Sequence, residues 1–204
     1  MQATDILMNE HRVIEQVLDC LDAVVAKTRK TSRLDRTSAE QILDFLREFA
    51  DHCHHGKEEN HLFPWLERHG FSRQMGPTGV MLREHTLGRH HIHQMTAAVN
   101  GAAQGVAADV ENFCHNAQTY VQLLREHIHK EDHCLFAMAA QVATPQDDAE
   151  LLSAYAAVEE HDIGAGVHER YLALADELAS RLGVQRRLSA ALESTGCGCG
   201  HGGH

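Results

Sequence analysis

The sequence predicts an all-α fold: an up-down-up-down four-helix bundle with a fifth, C-terminal helix. Three observations predict it. Apolar residues recur at spacings of three and four through most of the 204 residues. Only 3 prolines interrupt that pattern, and aromatic residues make up 5%, which disfavours a many-turned β-sandwich. The joints between periodic stretches are short, as antiparallel neighbouring helices require.

The first helix is expected over 3–30, with Ile6, Leu7, Val13, Ile14, Val17, Leu18, Leu21 and Val25 as its apolar stripe. Polar residues 31–36 make a turn. Thr37 or Ser38 is placed to cap the second helix, because Glu40 follows at capping-box distance. That helix is expected to reach His69, with Pro64 as a kink and Gly70 as its stop. Pro77 opens the third helix. Asn100, Gly101 and Gly105 mark the joint to the fourth, over 109–142, and Pro145 opens a fifth that ends near Gly183. The predicted organisation is a bundle over 1–143, a helix over 144–185 packing on it, and a tail over 186–204. The tail ends in CGCGHGGH, a flexible composition. Cys197, Cys199, His201 and His204 there are candidates for a soft metal, and the two cysteines for a disulfide.

A formal charge of -11 opposes phosphate backbones, so nucleic acid is not an expected partner. No apolar run approaches the ~20 residues that cross a bilayer, so no membrane is expected either. Residues 1–11 show neither a basic leader nor an apolar signal core. The expectation is a soluble cytoplasmic protein, monomeric or homodimeric. Cys20, Cys53, Cys114 and Cys134 stand singly in helical stretches and read as buried small hydrophobes. The unusual count is histidine, with 18 copies, and neutral imidazole is the commonest protein metal ligand.

An internal duplication organises those histidines. His54-His55-Gly56-Lys57-Glu58-Glu59-Asn60-His61-Leu62-Phe63 in the second helix matches His127-Ile128-His129-Lys130-Glu131-Asp132-His133-Cys134-Leu135-Phe136 in the fourth. Ile6-Leu7-Met8-Asn9-Glu10-His11 in the first matches Val80-Met81-Leu82-Arg83-Glu84-His85 in the third. Each helical hairpin thus offers one lone histidine and one HxxxE. Residues i and i+4 share a helix face about 6 Å apart along the axis, so imidazole and carboxylate can reach one metal or two adjacent metals.

Antiparallel neighbours meet at equal depth when the turn lies midway between them. Ser32 or Arg33 is midway between His11 and His54, Phe71 lies near the midpoint of Glu58 and His85, and Val106 is midway between His85 and His127. All four helices therefore bring His11, His54, Glu58, His85, His127 and Glu131 to one layer. Two metals, each with two histidines and sharing two carboxylates, fit that count. Mixed imidazole and carboxylate donors suit iron or manganese, whereas a structural zinc site would favour thiolates.

The pattern H…HxxxE…H…HxxxE over residues 11–131, with HHGKEENHLFP, GPTGVMLREH and EHIHKEDHCLF around it, resembles the hemerythrin-like, or HHE cation-binding, proteins. The match looks closest to the bacterial branch that includes the repair-of-iron-centres proteins. The resemblance implies two non-heme iron ions joined by oxo and carboxylate bridges, with manganese or zinc as substitutes. It implies His11, His54, Glu58, His85, His127 and Glu131 as ligands, Glu58 and Glu131 bridging, and a small oxidant as the partner: O2, H2O2 or NO. Two positions depart from the oxygen-carrying members. Arg89 stands four residues after His85 where they place a second histidine. HxxxE fits the fourth helix better than their HxxxxD, although Asp132 does stand five after His127. Fewer histidines leave iron more open, so redox turnover is expected over clean reversible O2 carriage.

His55 with Glu59 competes with His54 and Glu58, but the repeat places Ile128 opposite His55, which no metal can use. On an α-helical wheel His54 follows Arg47, Ala50 and Asp51, an unsuitably polar face, so a local helix distortion or a polar surround is expected there. A ferritin-like reading would use Glu58-x-x-His61 and Glu126-x-x-His129 with Glu10 or Glu84, yet the repeat pairs Glu58 with Glu131. Arg89 and His90 are candidates to line the site behind the ligands. In the fifth helix, Glu160, His161 and His168 are candidates to cap the metal cavity, against the plainer reading of a solvated face beside a packing stripe. The function expected is reaction with a small oxidant in oxidative or nitrosative stress, as a peroxide-consuming or NO-detoxifying activity. The alternatives are an O2 or iron sensor or carrier, or an iron donor to damaged centres.

Overall fold

A computed structural model describes residues 1–74, 76–164 and 166–187. Among them no strand occurs, and the chain is a helical bundle with further helices after it. Helix α1 spans Gln2–Thr31 and ends at Ser32 in the left-handed conformation. Helix α2, Arg36–Phe45, is capped by Asp35, whose side chain accepts from the Ser38 backbone N–H. The cap is thus neither Thr37 nor Ser38: Asp35 ionises and accepts more strongly at the positive helix end. The chain continues π-helically through Leu46–His55, again through Glu58–Leu62, and then α-helically as α3, Phe63–Arg68. The π turn ahead of Pro64 carries the helix past a residue that lacks an N–H. Gly70 turns the chain with φ +94.

Helix α4 spans Pro77–Gln104 and α5 spans Ala107–Lys130. Asn100 and Gly101 lie inside α4, not in its joint to α5. At Gly101 a side chain would collide with Asp109 Oδ2 at 1.7 Å, so glycine is there for close approach of the two helices, and Gly105, with φ +82, makes the turn. A π turn at Glu131–Leu135 leads into α6, Phe136–Val142. The expected fifth helix is broken in two: α7, Pro145–Ala157, then a π segment Val158–Gly164, then α8, Val167–Leu182. The break falls where Gly164 and Gly166 adopt positive φ. Both pieces fold back on the first hairpin. Gln16 donates to Asp176, the Tyr171 hydroxyl to Asp44 at 3.0 Å, and Trp65 Nε1 to Asp147 at 3.0 Å.

Two apolar cores flank the predicted histidine layer. The larger runs from Val13 to Val25 in α1 across Ile42–Ala50, Ile92–Ala102 and Phe113–Ile128, and takes in Tyr171, Ala175 and Leu178 of α8. The smaller joins Ala3 and Leu7 to Leu62–Leu66, Met81, Leu135–Ala139, Leu151 and Tyr155. Cys20, Cys53 and Cys114 are buried, but Cys134 is exposed, because its helix face points away from both cores. No described helix is long and apolar enough to cross a membrane. Residues 188–204, with Cys197, Cys199, His201 and His204, lie outside the described residues.

Candidate metal centre

Local structure aims the candidate ligands. In an α-helix His54 would follow Arg47, Ala50 and Asp51 on its face. The wider i→i+5 turn of Leu46–His55 instead places Phe49 one turn before His54 and Ala50 one turn before His55, and all four are buried. The helix distortion expected from the sequence is this π segment. The two shorter π turns start at Glu58 and at Glu131, and each closes with a phenylalanine N–H donating back to that glutamate's carbonyl.

The structure brings all six predicted residues together, each buried. His11, His54, Glu58 and Glu131 lie within 4.8 Å of one another, as do His55, Glu58, His85 and His127. Glu58 sits between the hairpins, with Oε1 3.6 Å from His54 Nε2 and Oε2 3.5 Å from His85 Nε2. Glu131 mirrors it: Oε2 is 3.3 Å from His11 Nε2 and 3.1 Å from His127 Nε2.

Each of the four predicted imidazoles is held from behind by the preceding helix in the ring of four. His54 Nδ1 donates to Glu10 of α1 at 2.9 Å, and His85 Nδ1 to Glu59 at 2.7 Å. His127 Nδ1 donates to Glu84 of α4 at 3.0 Å, and His11 Nδ1 to Asp132 at 2.6 Å. A carboxylate only accepts, so each Nδ1 carries the proton and each Nε2 lone pair faces the centre. Each supporting carboxylate is in turn met by a cation: Glu10 by Lys57, Glu59 by Arg89, Glu84 by Lys130 and Asp132 by Arg12. Asp132 therefore supports His11 and leaves Glu131 as the inward carboxylate.

The donor set fits bound cations. His11 Nε2, His54 Nε2 and all four carboxylate oxygens of Glu58 and Glu131 are buried without a hydrogen-bond partner among the described residues. His85 Nε2 and His127 Nε2 face each other at 3.1 Å. Unpartnered buried acceptors and opposed lone pairs are costly unless positive charge lies between them. In the metal-free protein protons supply that charge. Burial and the neighbouring Glu131 raise the Glu58 carboxyl well above its ordinary range. Burial opposes a charge on His127, but Glu131 and Glu84 outweigh it and raise its pKa to about 9. Burial and the neighbouring His55 lower His85 to about 3.

His55 is buried at the same depth, though the sequence reading set it aside. Its ring stacks on His85 at 3.7 Å between centroids and 14° between planes. A ligating imidazole has its metal near its own ring plane, and two nearly parallel, stacked planes do not meet at one ion. His55 thus shields the outer face of His85, with its Nδ1 on Asp51 at 3.2 Å. Arg89 joins Asp51 and Glu59 behind His85, as a residue lining the site should. His90 does not reach the site: it is exposed and its ring meets His91, because it lies off the inward face that His85 defines. Glu160 is exposed as well. Its neighbour Glu159 faces inward and accepts from Lys57. His168 reaches Glu10, the acid behind His54, at 3.4 Å. The side chain of His161 lies outside the described residues. Glu126 is exposed and accepts from Gln122, so the ferritin-like arrangement does not form.

Sequence reasoning misses the supporting role of these acids: it names Glu59 and Asp132 only as rival ligands, and Glu10 and Glu84 only in the rejected ferritin-like scheme. Their signal was present in the repeat: a glutamate directly before each lone histidine, and a second acid directly after each HxxxE.

The family profile described as hemerythrin HHE cation binding domain matches residues 2–139. The chain is also similar to the uncharacterized proteins Rv1995 of Mycobacterium tuberculosis (strain H37Rv) and Mb2018 of Mycobacterium bovis. Each is 20% identical over 182 residues, covering 89% of this chain and 71% of the relative. No solved structure matches the chain.

Proposed function

This chain belongs to the hemerythrin HHE cation-binding family, and from that premise we propose that it is a non-heme di-iron protein that binds and reacts with a small oxidant: O2, hydrogen peroxide or nitric oxide. His11 and His54 would hold one ion and His85 and His127 the other, with Glu58 and Glu131 shared between the two. The observation that carries this reading is the placement of each glutamate between one histidine of each hairpin, with its carboxylate oxygens otherwise unpartnered. Two imidazoles and two shared carboxylates leave each ion coordinatively open, and the absence of thiolates favours iron or manganese over structural zinc.

Bound iron supplies the electron exchange with the small ligand. The chain's own residues do the rest. The carboxylates on Nδ1 fix the tautomer and orientation of each imidazole and raise its basicity. Phe136 stacks on His11 at 5.6 Å and Phe63 on His85 at 5.8 Å, which keeps water from that end of the layer. The biological setting that suits such a site is oxidative or nitrosative stress.

Metal analysis and an absorption spectrum of protein purified with iron present test the reading. Two irons per chain and sustained consumption of peroxide or NO are expected. A reversible, stoichiometric O2 spectrum without turnover would make the protein a carrier or sensor, and a single zinc per chain would overturn the di-iron site.

A further inference from the structure

Tyr155 lies on α7, beyond the residues that match the family profile. It is 1% exposed, and its hydroxyl is buried without a hydrogen-bond partner among the described residues. A buried phenol almost always finds a partner, and leaving one unmade costs as much as a lost hydrogen bond. Trp65, in the same apolar core, gives its N–H to Asp147. Tyr155 thus keeps a buried donor unspent among the described residues.

Its placement is well defined. Asp148, two turns earlier, accepts from the backbone N–H groups of Gln2 and Ala3, at 3.0 and 2.9 Å. Glu159, four residues later, accepts from Lys57, the residue before Glu58. Tyr155 lies between these two anchors, on the face that α7 turns to the bundle. The Lys57 ammonium is 6.0 Å from its ring centroid. Besides burial, the charges its hydroxyl feels include Glu58, Glu10 and Glu131, and they keep it protonated at any working pH. The carboxylate oxygens of Glu58 and Glu131, which are among those charges, are themselves buried without a partner among the described residues.

Resting on the di-iron reading, we propose that the Tyr155 hydroxyl is the hydrogen-bond donor to the small anionic ligand that occupies the open position of the metal pair. The appended helices thus contribute a neutral donor to a site built by the four-helix bundle. A protonated phenol gives a proton-bearing contact without adding charge. It favours ligands that carry negative charge when bound over neutral ones.

The test is Tyr155→Phe in the full chain, which keeps the ring and removes only the hydroxyl. Azide is the probe, titrated optically into the oxidised, iron-loaded protein. Unchanged iron content and about a tenfold loss of azide affinity are expected, with Tyr171→Phe leaving azide binding at the wild-type level. The metal-free Tyr155→Phe protein is expected to melt at a higher temperature than the wild type, because an unpartnered buried group is gone. Wild-type azide affinity in Tyr155→Phe, loss of iron from it, or a lower melting temperature of its metal-free form would overturn the proposal. Two irons per wild-type chain with unchanged azide affinity in the variant would sink this inference alone; a wild type that takes no iron would sink the di-iron reading beneath it.

Discussion

Lys57 and Lys130 hold matching places in the two hairpins, and each pairs with a glutamate of the preceding helix, Glu10 or Glu84. Around them the hairpins differ. The C-terminal helices cover the first hairpin, so the Lys57 side chain is 0% exposed and also meets Glu159, while Lys130 is 38% exposed. His168 adds a further contact to Glu10, and nothing comparable is seen at Glu84 among the described residues. One motif thus serves twice, once in a low-dielectric interior and once at the water boundary. The same ion pair is worth little at a surface, whereas a buried one cannot lose a partner cheaply.

The largest expected effects lie where the hairpins meet. Glu58→Ala or Glu131→Ala should drop iron well below two per chain. Glu59→Ala should retain the site at saturating iron but bind about 10–100-fold more weakly, since His85 loses its orienting acceptor. Iron titration with elemental analysis checks both; loss of the site in Glu59→Ala with retention in Glu58→Ala would shift the ligand register by one residue.

Next comes the lysine pair itself. Lys57→Met should destabilise the metal-free protein by about 3 kcal/mol, as an uncompensated buried charge does. Lys130→Met should cost under ~1 kcal/mol, as an exposed pair does. Urea unfolding of the two variants side by side measures the difference, and equal losses would mean that burial does not set the worth of the pair.

A pH effect follows from His127. Burial lowers its proton affinity, but Glu131 and Glu84 outweigh burial and raise the pKa to about 9 from an ordinary 6.5. That proton stabilises the metal-free fold fully below the ordinary value, and the contribution is lost as pH rises through about 9. A metal must displace it, so metal affinity should climb across the same window, roughly tenfold per pH unit for each proton displaced. Manganese titrations at pH 6.5 and 8.5 avoid ferric hydrolysis; equal affinities would contradict the assignment. The smallest effect is at Glu160, which is exposed: Glu160→Gln should change stability by less than ~0.5 kcal/mol and leave iron content unchanged.

Much of this arrangement was legible in the sequence because a duplication marks equal depth. The six inward residues and the four main helices follow from the repeat and its midpoints. The inward turn of His54 was not readable from an α-helical wheel, since a π segment changes the period, and only the mismatch with Arg47 and Asp51 hinted at it. The broken fifth helix was hidden because Gly164 and Gly166 lie in an otherwise periodic stretch. Asp35 was overlooked as a cap because Glu40 suggested a capping box later in the chain. The supporting acids face the next helix, not their own, so spacing within one helix does not reveal them.

Glu58 and Glu131 are proposed to join two irons into one electronic unit. Electron paramagnetic resonance of the oxidised protein carrying two irons per chain tests it most directly. The bridged pair predicts a silent spectrum from coupled spins that returns a signal on one-electron reduction. Two isolated high-spin ferric signals accounting for all the iron would contradict it.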